Sequence, residues 1–385
     1  MKKSIFLSVL ALAAVVSCQK SEIVDTKFND AIGFETYVGR DAMTKASVAD
    51  ETSLQSTGFG VYGYYTATAD YTDGNVANLM SKQEVTYTPG AEGAAGTWGY
   101  TPAKYWTNGS DKYTFFAYAP YSLTSESAPT VAYTVSNTIS EQIDVLYSNN
   151  NMDITKRESV AFKFEHALAR ITVKAKSVMT PKTANGTDYD NTFHVKEITL
   201  KGEFNTTGTL TLGKVETKTV DGQTVKDAVA KWDATVGTGG NYNFFTTTDK
   251  AVIADDPATT DVVEKPNYLT ATDTNYGTIK EKNYLMVIPT NMVSNPATLV
   301  VKYSVVSAGT ESSVMTKELE IAQDFVMGNA YTINLEFALD PKNQIKFSVD
   351  SVEGWSETAA TIVKPSTFEE SEAANNPELY PNKTN

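Results

Sequence analysis

The side chains most able to do chemistry are scarce in this 385-residue chain: two histidines, one cysteine and three arginines. His166 closes the phrase Phe162-Lys163-Phe164-Glu165-His166 and shares the parity of the two phenylalanines. An imidazole is a ready general base, but inside a strand-like phrase it reads as a packed or junction residue. His194 follows Phe193 at a strand start and reads as exposed. A structural zinc site takes about four Cys or His ligands, more than the chain holds. A disulfide within the chain needs a second cysteine. Asp255-Asp256-Pro257 reads as a solvated acidic turn. Asp70, Asp73 and Gly74 lack the glutamate-terminated ligand spacing of a calcium loop. The glycines of Gly58-Phe59-Gly60 and of 91–96 are turn glycines, because a phosphate cradle needs a helix after it. Trp98, Tyr100, Tyr105 and Trp106, with Pro102 among them, read as a hairpin whose rings fill a core. A platform for a sugar ring is the alternative. The expectation is a protein that is not an enzyme, with no metal and no cofactor.

The elements that position these residues are β-strands. Ile32, Phe34 and Val38 share one parity, and Val131, Tyr133 and Val135 alternate cleanly. Aromatic runs lie at 59–65 and 113–118. Short runs of Val, Tyr, Phe, Ile and Thr between Gly, Asn, Pro and Asp clusters mark a sandwich or barrel. No window of about 12 residues carries a convincing helical period. The fold class expected is all-β. Phe162, Phe164 and Leu168 keep one parity while Ile171 and Val173 take the other, which marks a bulge or a strand that changes sheets. The polar stretch 149–159 reads as a domain junction, and 213–280 as long surface loops. The expected organisation is 1–17 signal peptide, 18–30 tether, 31–158 and 159–355 two β-sandwich domains, and 356–385 a polar tail.

Hydrophobic residues make up 41% and charged residues 20%, a globular composition. The formal charge is −14, from 46 acids against 32 bases. That argues against nucleic acid and anionic lipid surfaces, both of which need a basic footprint. Lys2 and Lys3 precede an apolar run from Ile5 to Val16, then Ser17 and Cys18. The run has the length of a secretory signal and is too short for a spanning helix. Val15-Val16-Ser17-Cys18 resembles a bacterial lipobox, in which the cysteine is lipidated and becomes the new N-terminus. Palmitate-like acyl chains on Cys18 would anchor the protein to a membrane, two or more chains being needed for stable retention.

Five phrases in one order resemble the fimbrillin family, the lipoproteins of type V pili, in its Mfa-like branch. They are Ile32-Gly33-Phe34 with Thr44-Lys45-Ala46, then 98–106 leading to 113–120, Asp144-Val145-Leu146-Tyr147, 162–171, and 328–335 with Trp355 after it. The resemblance implies two tandem transthyretin-like β-sandwich domains and a pilus subunit at the cell surface, in the fimbrium. It also implies cutting by an arginine-specific protease after the first strand. That strand leaves, and a strand from a neighbouring subunit replaces it by β-strand addition.

Three arginines bear on this. Arg170 lies in a strand run, Arg157 in the junction, and Arg40 directly after Ile32–Val38, followed by Asp41. The processing site expected is Arg40–Asp41, and the displaced strand carries Ile32, Phe34 and Val38. The tail departs from polymerising stalk subunits. It offers Ala359, Ala360, Ile362 and Val363 before Pro365, which cannot donate to a ladder. A tip or accessory subunit, adhering to a host or bacterial surface ligand, fits better than a stalk. The alternative is a surface lipoprotein that binds glycan or protein ligands and never polymerises.

Overall fold

The computed structural model describes residues 31–38, 49–339 apart from short stretches, of which the longest are 178–182, 247–251, 254–276 and 279–283, and 345–346. The first strand is β1 (Phe34–Val38), followed by a seven-residue helix α1 (Glu51–Thr57). Then come β2 (Phe59–Ala67), β3 (Met80–Thr88), β4 (Thr97–Gly99), β5 (Lys112–Ala119), β6 (Thr130–Thr134), β7 (Leu146–Ile154) and β8 (Val160–His166). All but β6 form one sheet in the order β1-β8-β7-β5-β2-β3-β4.

Helix α1 is too short to show a period in the sequence. It is fixed locally instead. Asp50 accepts from the Ser53 amide, and Ser53 Oγ accepts from the Asp50 amide, which satisfies free donors at the helix start. Gly58 ends it with φ +64°, a conformation open to glycine.

At its centre, along β2 and β5, both faces of this sheet are covered, while β1, β3 and β8 alternate buried and exposed residues. That is why β2 and β5 read as nearly unbroken apolar runs rather than as alternations. On one face Phe59, Val61, Phe115 and Ala117 join Phe34, Phe162 and Phe164 in a compact aromatic core. On the other face Tyr62, Tyr64, Phe116 and Tyr118 enter a larger core with residues from Leu168 to Phe337.

The remaining strands supply that larger core. The strand β9 (Ala169–Ser177) runs parallel to Ala330–Leu339 and antiparallel to Leu285–Val287. A second sheet is built on Thr192–Gly202, paired with Gly240–Thr246 and Ala297–Ser307. The molecule is all-β with packed sheets, as the sequence patterns required. The parity change at 162–173 is a strand that leaves one sheet for another: β8 lies in the first sheet, β9 in a different one.

Three expectations are corrected here. The strands beside the polar stretch at 149–159 belong to one sheet, with Leu146 opposite His166 and Tyr147 opposite Glu165, so the sheet does not end there. The polar side chains of that stretch tie it down: the Asn151 side-chain amide donates to the Ala161 carbonyl at 2.9 Å, and Asp153 Oδ1 accepts from the Tyr71 amide at 2.7 Å. Residues 213–236 are largely strand, not loop. Asn205–Val220 and Gln223–Val236 form a long hairpin, and β6 pairs with its first strand. Threonine-rich sequence favours strands even where both faces are polar, and Lys218–Asp227 and Lys231–Glu216 pair across the ribbon. Finally, His194 is buried, since its strand is central in its sheet.

Candidate functional site: the seat of the first strand

β1 lies at the edge of the seven-stranded sheet, parallel to β8, with Phe34 opposite Val160 and Val38 opposite Phe164. Its inward parity is Ile32, Phe34, Thr36 and Val38. Ile32 and Phe34 are buried, while Thr36 and Val38 are half-buried. The sheet curls so that the segment after β4 forms the opposite wall. Ala31 bridges to Tyr105, and the Ile32 amide donates to the Lys104 carbonyl at 2.8 Å. The Tyr100 hydroxyl donates to the Ile32 carbonyl at 2.8 Å. Burial raises the Tyr100 phenol above its ordinary value of 10.0, so it remains a donor at neutral pH. β1 is thus a stave between β8 and the 98–105 wall.

The floor of the seat is aromatic. The Phe34 ring centroid lies 5.2 Å from Tyr100, 5.4 Å from Phe162, 6.2 Å from Phe115 and 6.3 Å from Phe59. Full burial of such a side chain contributes about 1.5–3 kcal/mol. Further along, the Trp98 indole N–H donates to Thr36 Oγ1 at 2.9 Å, and Thr36 Oγ1 donates to Glu51 Oε1 at 2.8 Å. Helix α1 is therefore tied to β1 through Glu51. The helix start is itself held by Asp144, whose Oδ2 accepts from the Ala49 amide and faces His166 Nδ1, both at 2.9 Å.

The sequence identified Ile32, Phe34 and Val38 as the inward set. It missed Thr36, Tyr100 and the Trp98 link. The available signal was a threonine on an otherwise apolar parity. The rings of 98–106 fill the core rather than forming a platform: Trp106 is buried, and Trp98 and Tyr100 pack against the compact core, with only Tyr105 among the four half exposed. Asp70 is engaged by Lys112, and Asp73 accepts from the Val215 amide at 2.7 Å. Among the described residues no cluster of His, Cys, Asp or Glu could hold a metal, and no helix is long and apolar enough to cross a membrane. His166 is the partly buried partner of Asp144. His194 Nδ1 lies 3.1 Å from Glu311 Oε1, which also takes Lys196 at 3.0 Å and the Ser304 hydroxyl.

Of the three arginines, Arg157 stacks over Tyr113 and Trp106, at 4.9 and 5.3 Å from the ring centroids. Arg170 lies over Tyr284 at 4.8 Å, within β9. Cys18, Arg40, Asp41 and the Asp255-Asp256 turn lie outside the described residues.

A family model described as fimbrillin-like matches residues 44–355. The chain belongs to the fimbrillin-like family. Fimbrium subunit Fim1C of Phocaeicola vulgatus is 25% identical over 393 residues, covering 91% of this chain and 96% of that protein. A crystal structure of a fimbrial protein from Bacteroides vulgatus superposes with a TM-score of 0.59 at 23% identity, over 85% of this chain and 100% of that one. This fimbrillin-like chain therefore shares its all-β architecture with a solved fimbrial protein. The family model is fimbrillin-like, and the curated relative is a fimbrium subunit.

Proposed function

We propose that this fimbrillin-like chain is a surface pilus subunit that becomes competent for assembly when β1 is replaced by a strand from another subunit. One observation carries the reading. β1 is five residues long, has a single strand neighbour, and covers a ready-made aromatic groove. Parallel pairing is slightly weaker per residue than antiparallel pairing, so an incoming strand has less to displace. β-strand addition supplies main-chain hydrogen bonds for affinity and alternate side chains for register.

The processing point we propose is Arg40–Asp41, two residues beyond β1. The ring stacking of Arg157 and Arg170 favours it over the other two arginines. Before processing, acyl chains on Cys18 would hold the protein at the outer membrane. The tail, interrupted by Pro365, fits a tip or accessory subunit that receives a strand.

The deciding measurement is the N-terminus of the protein recovered from the cell surface, together with the assembly of Arg40→Ala. A free Asp41 and a variant left out of pili support the reading. A lipidated Cys18 on the assembled form, or Arg40→Ala assembling at the normal rate, replaces it with a surface lipoprotein that binds glycan or protein ligands without polymerising.

A further inference from the structure

The groups that meet the inward side chains of β1 are apolar except at one station. Thr36 stands between the Trp98 indole N–H and the Glu51 carboxylate, accepting from the first and donating to the second. All three side chains are half-buried. Any strand that replaces β1 in register must bring something to this station. An aliphatic side chain there would strand the indole donor and the carboxylate together, and a polar group left unpaired costs more than a bond made is worth. The register is not free to shift away from this demand. Position 32 is fixed through both its amide, to the Lys104 carbonyl, and its carbonyl, to the Tyr100 hydroxyl. Moving by one residue would also turn every inward side chain outward.

Resting on the strand-exchange reading above, we propose that Trp98 and Glu51 select the incoming strand by requiring a serine or threonine at the Thr36 station. The occupant is a segment of a different subunit with a bulky apolar residue two positions before the hydroxyl and another apolar residue four before it. This pattern repeats Ile32, Phe34 and Thr36. The chain's own tail does not supply it. Thr361 follows Ala359 at two positions and Glu357 at four, and Thr367 follows Pro365. A site built to hydrogen-bond a hydroxyl rejects an analogue lacking it more strongly than an apolar pocket rejects a missing methylene.

The test uses the full chain cut with an arginine-specific protease and labelled peptides of residues 31–38, read by fluorescence anisotropy. The wild-type and Thr36→Ser peptides should enter the seat. The Thr36→Val peptide should bind about 10-fold more weakly, the loss expected for one stranded partner pair of this exposure. In Trp98→Phe protein, and independently in Glu51→Gln protein, that difference should shrink, as a double-mutant cycle requires of a direct pair. Equal binding of the threonine and valine peptides to wild-type protein overturns the selection while leaving strand exchange standing. So does a difference that persists undiminished in both protein variants. If no peptide enters, the wild-type sequence included, strand exchange itself fails and selection falls with it.

Discussion

The indole N–H of Trp232, on the long hairpin, donates to the backbone carbonyl of Ala167 at 2.7 Å. Ala167 is the residue at which the chain leaves the seven-stranded sheet for β9, and it is fully buried. The hairpin thus satisfies a carbonyl that the change of sheets would leave without a ladder partner. Trp232→Phe keeps most of the ring and removes the donor. It should cost about 1–3 kcal/mol, the penalty for a buried unpaired acceptor. The midpoint of urea unfolding measures it, and a variant as stable as the parent would show that the carbonyl finds another partner.

Phe34 is the side chain by which β1 holds its seat. Phe34→Ala removes contacts to four rings and should cost about 3–5 kcal/mol if the groove stays open. Because β1 is an edge strand, the loss should appear first as local detachment. Hydrogen exchange at the amides of β1 and along β8 should quicken before the larger core is affected. Uniform exchange across the molecule would mean that β1 and the cores open together.

Glu311 sets an acid limit on the second sheet. Hydrogen bonds from Ser304, Lys196 and His194 lower its carboxyl from the ordinary 4.5 to about 2. A depressed carboxyl stabilises the fold fully above its unfolded value, and the contribution fades as pH falls toward the folded value. Glu311→Gln should therefore be less stable than the parent at neutral pH. The two thermal midpoints should converge between about pH 4.5 and pH 2. Parallel curves across that window would exclude Glu311 as the titrating group.

Cys18 is the only cysteine and so the only residue able to take a thioether lipid. Cys18→Ala should move the protein from the detergent phase to the aqueous phase on Triton X-114 partition. Retention with the lipoproteins would remove the anchoring proposal and leave the fold unaffected.

The inward set of β1 was legible because a strand has a strict period of two: Ile32, Phe34 and Val38 fall on one face whatever surrounds them. The parity change between Phe164 and Ile171 likewise marked a bulge or a change of sheet, since one strand cannot present both parities to one core, and the structure decides for the change of sheet. The scarcity of His, Cys and Arg bounded the chemistry through composition alone. Only the tertiary structure decided that His194 is shielded from solvent, because its cross-strand neighbours are Val252 on one side and Ser304 on the other, far away in sequence. It also decided the path of β6, which leaves its sequence neighbours to pair with Asn205–Val220. Local pattern states that a segment is a strand and carries little about its partner. The Thr36 station belongs to the same class. Its threonine, tryptophan and glutamate come from β1, β4 and α1, and only the closing of the sheet brings Trp98, 62 residues away in sequence, within reach of Thr36.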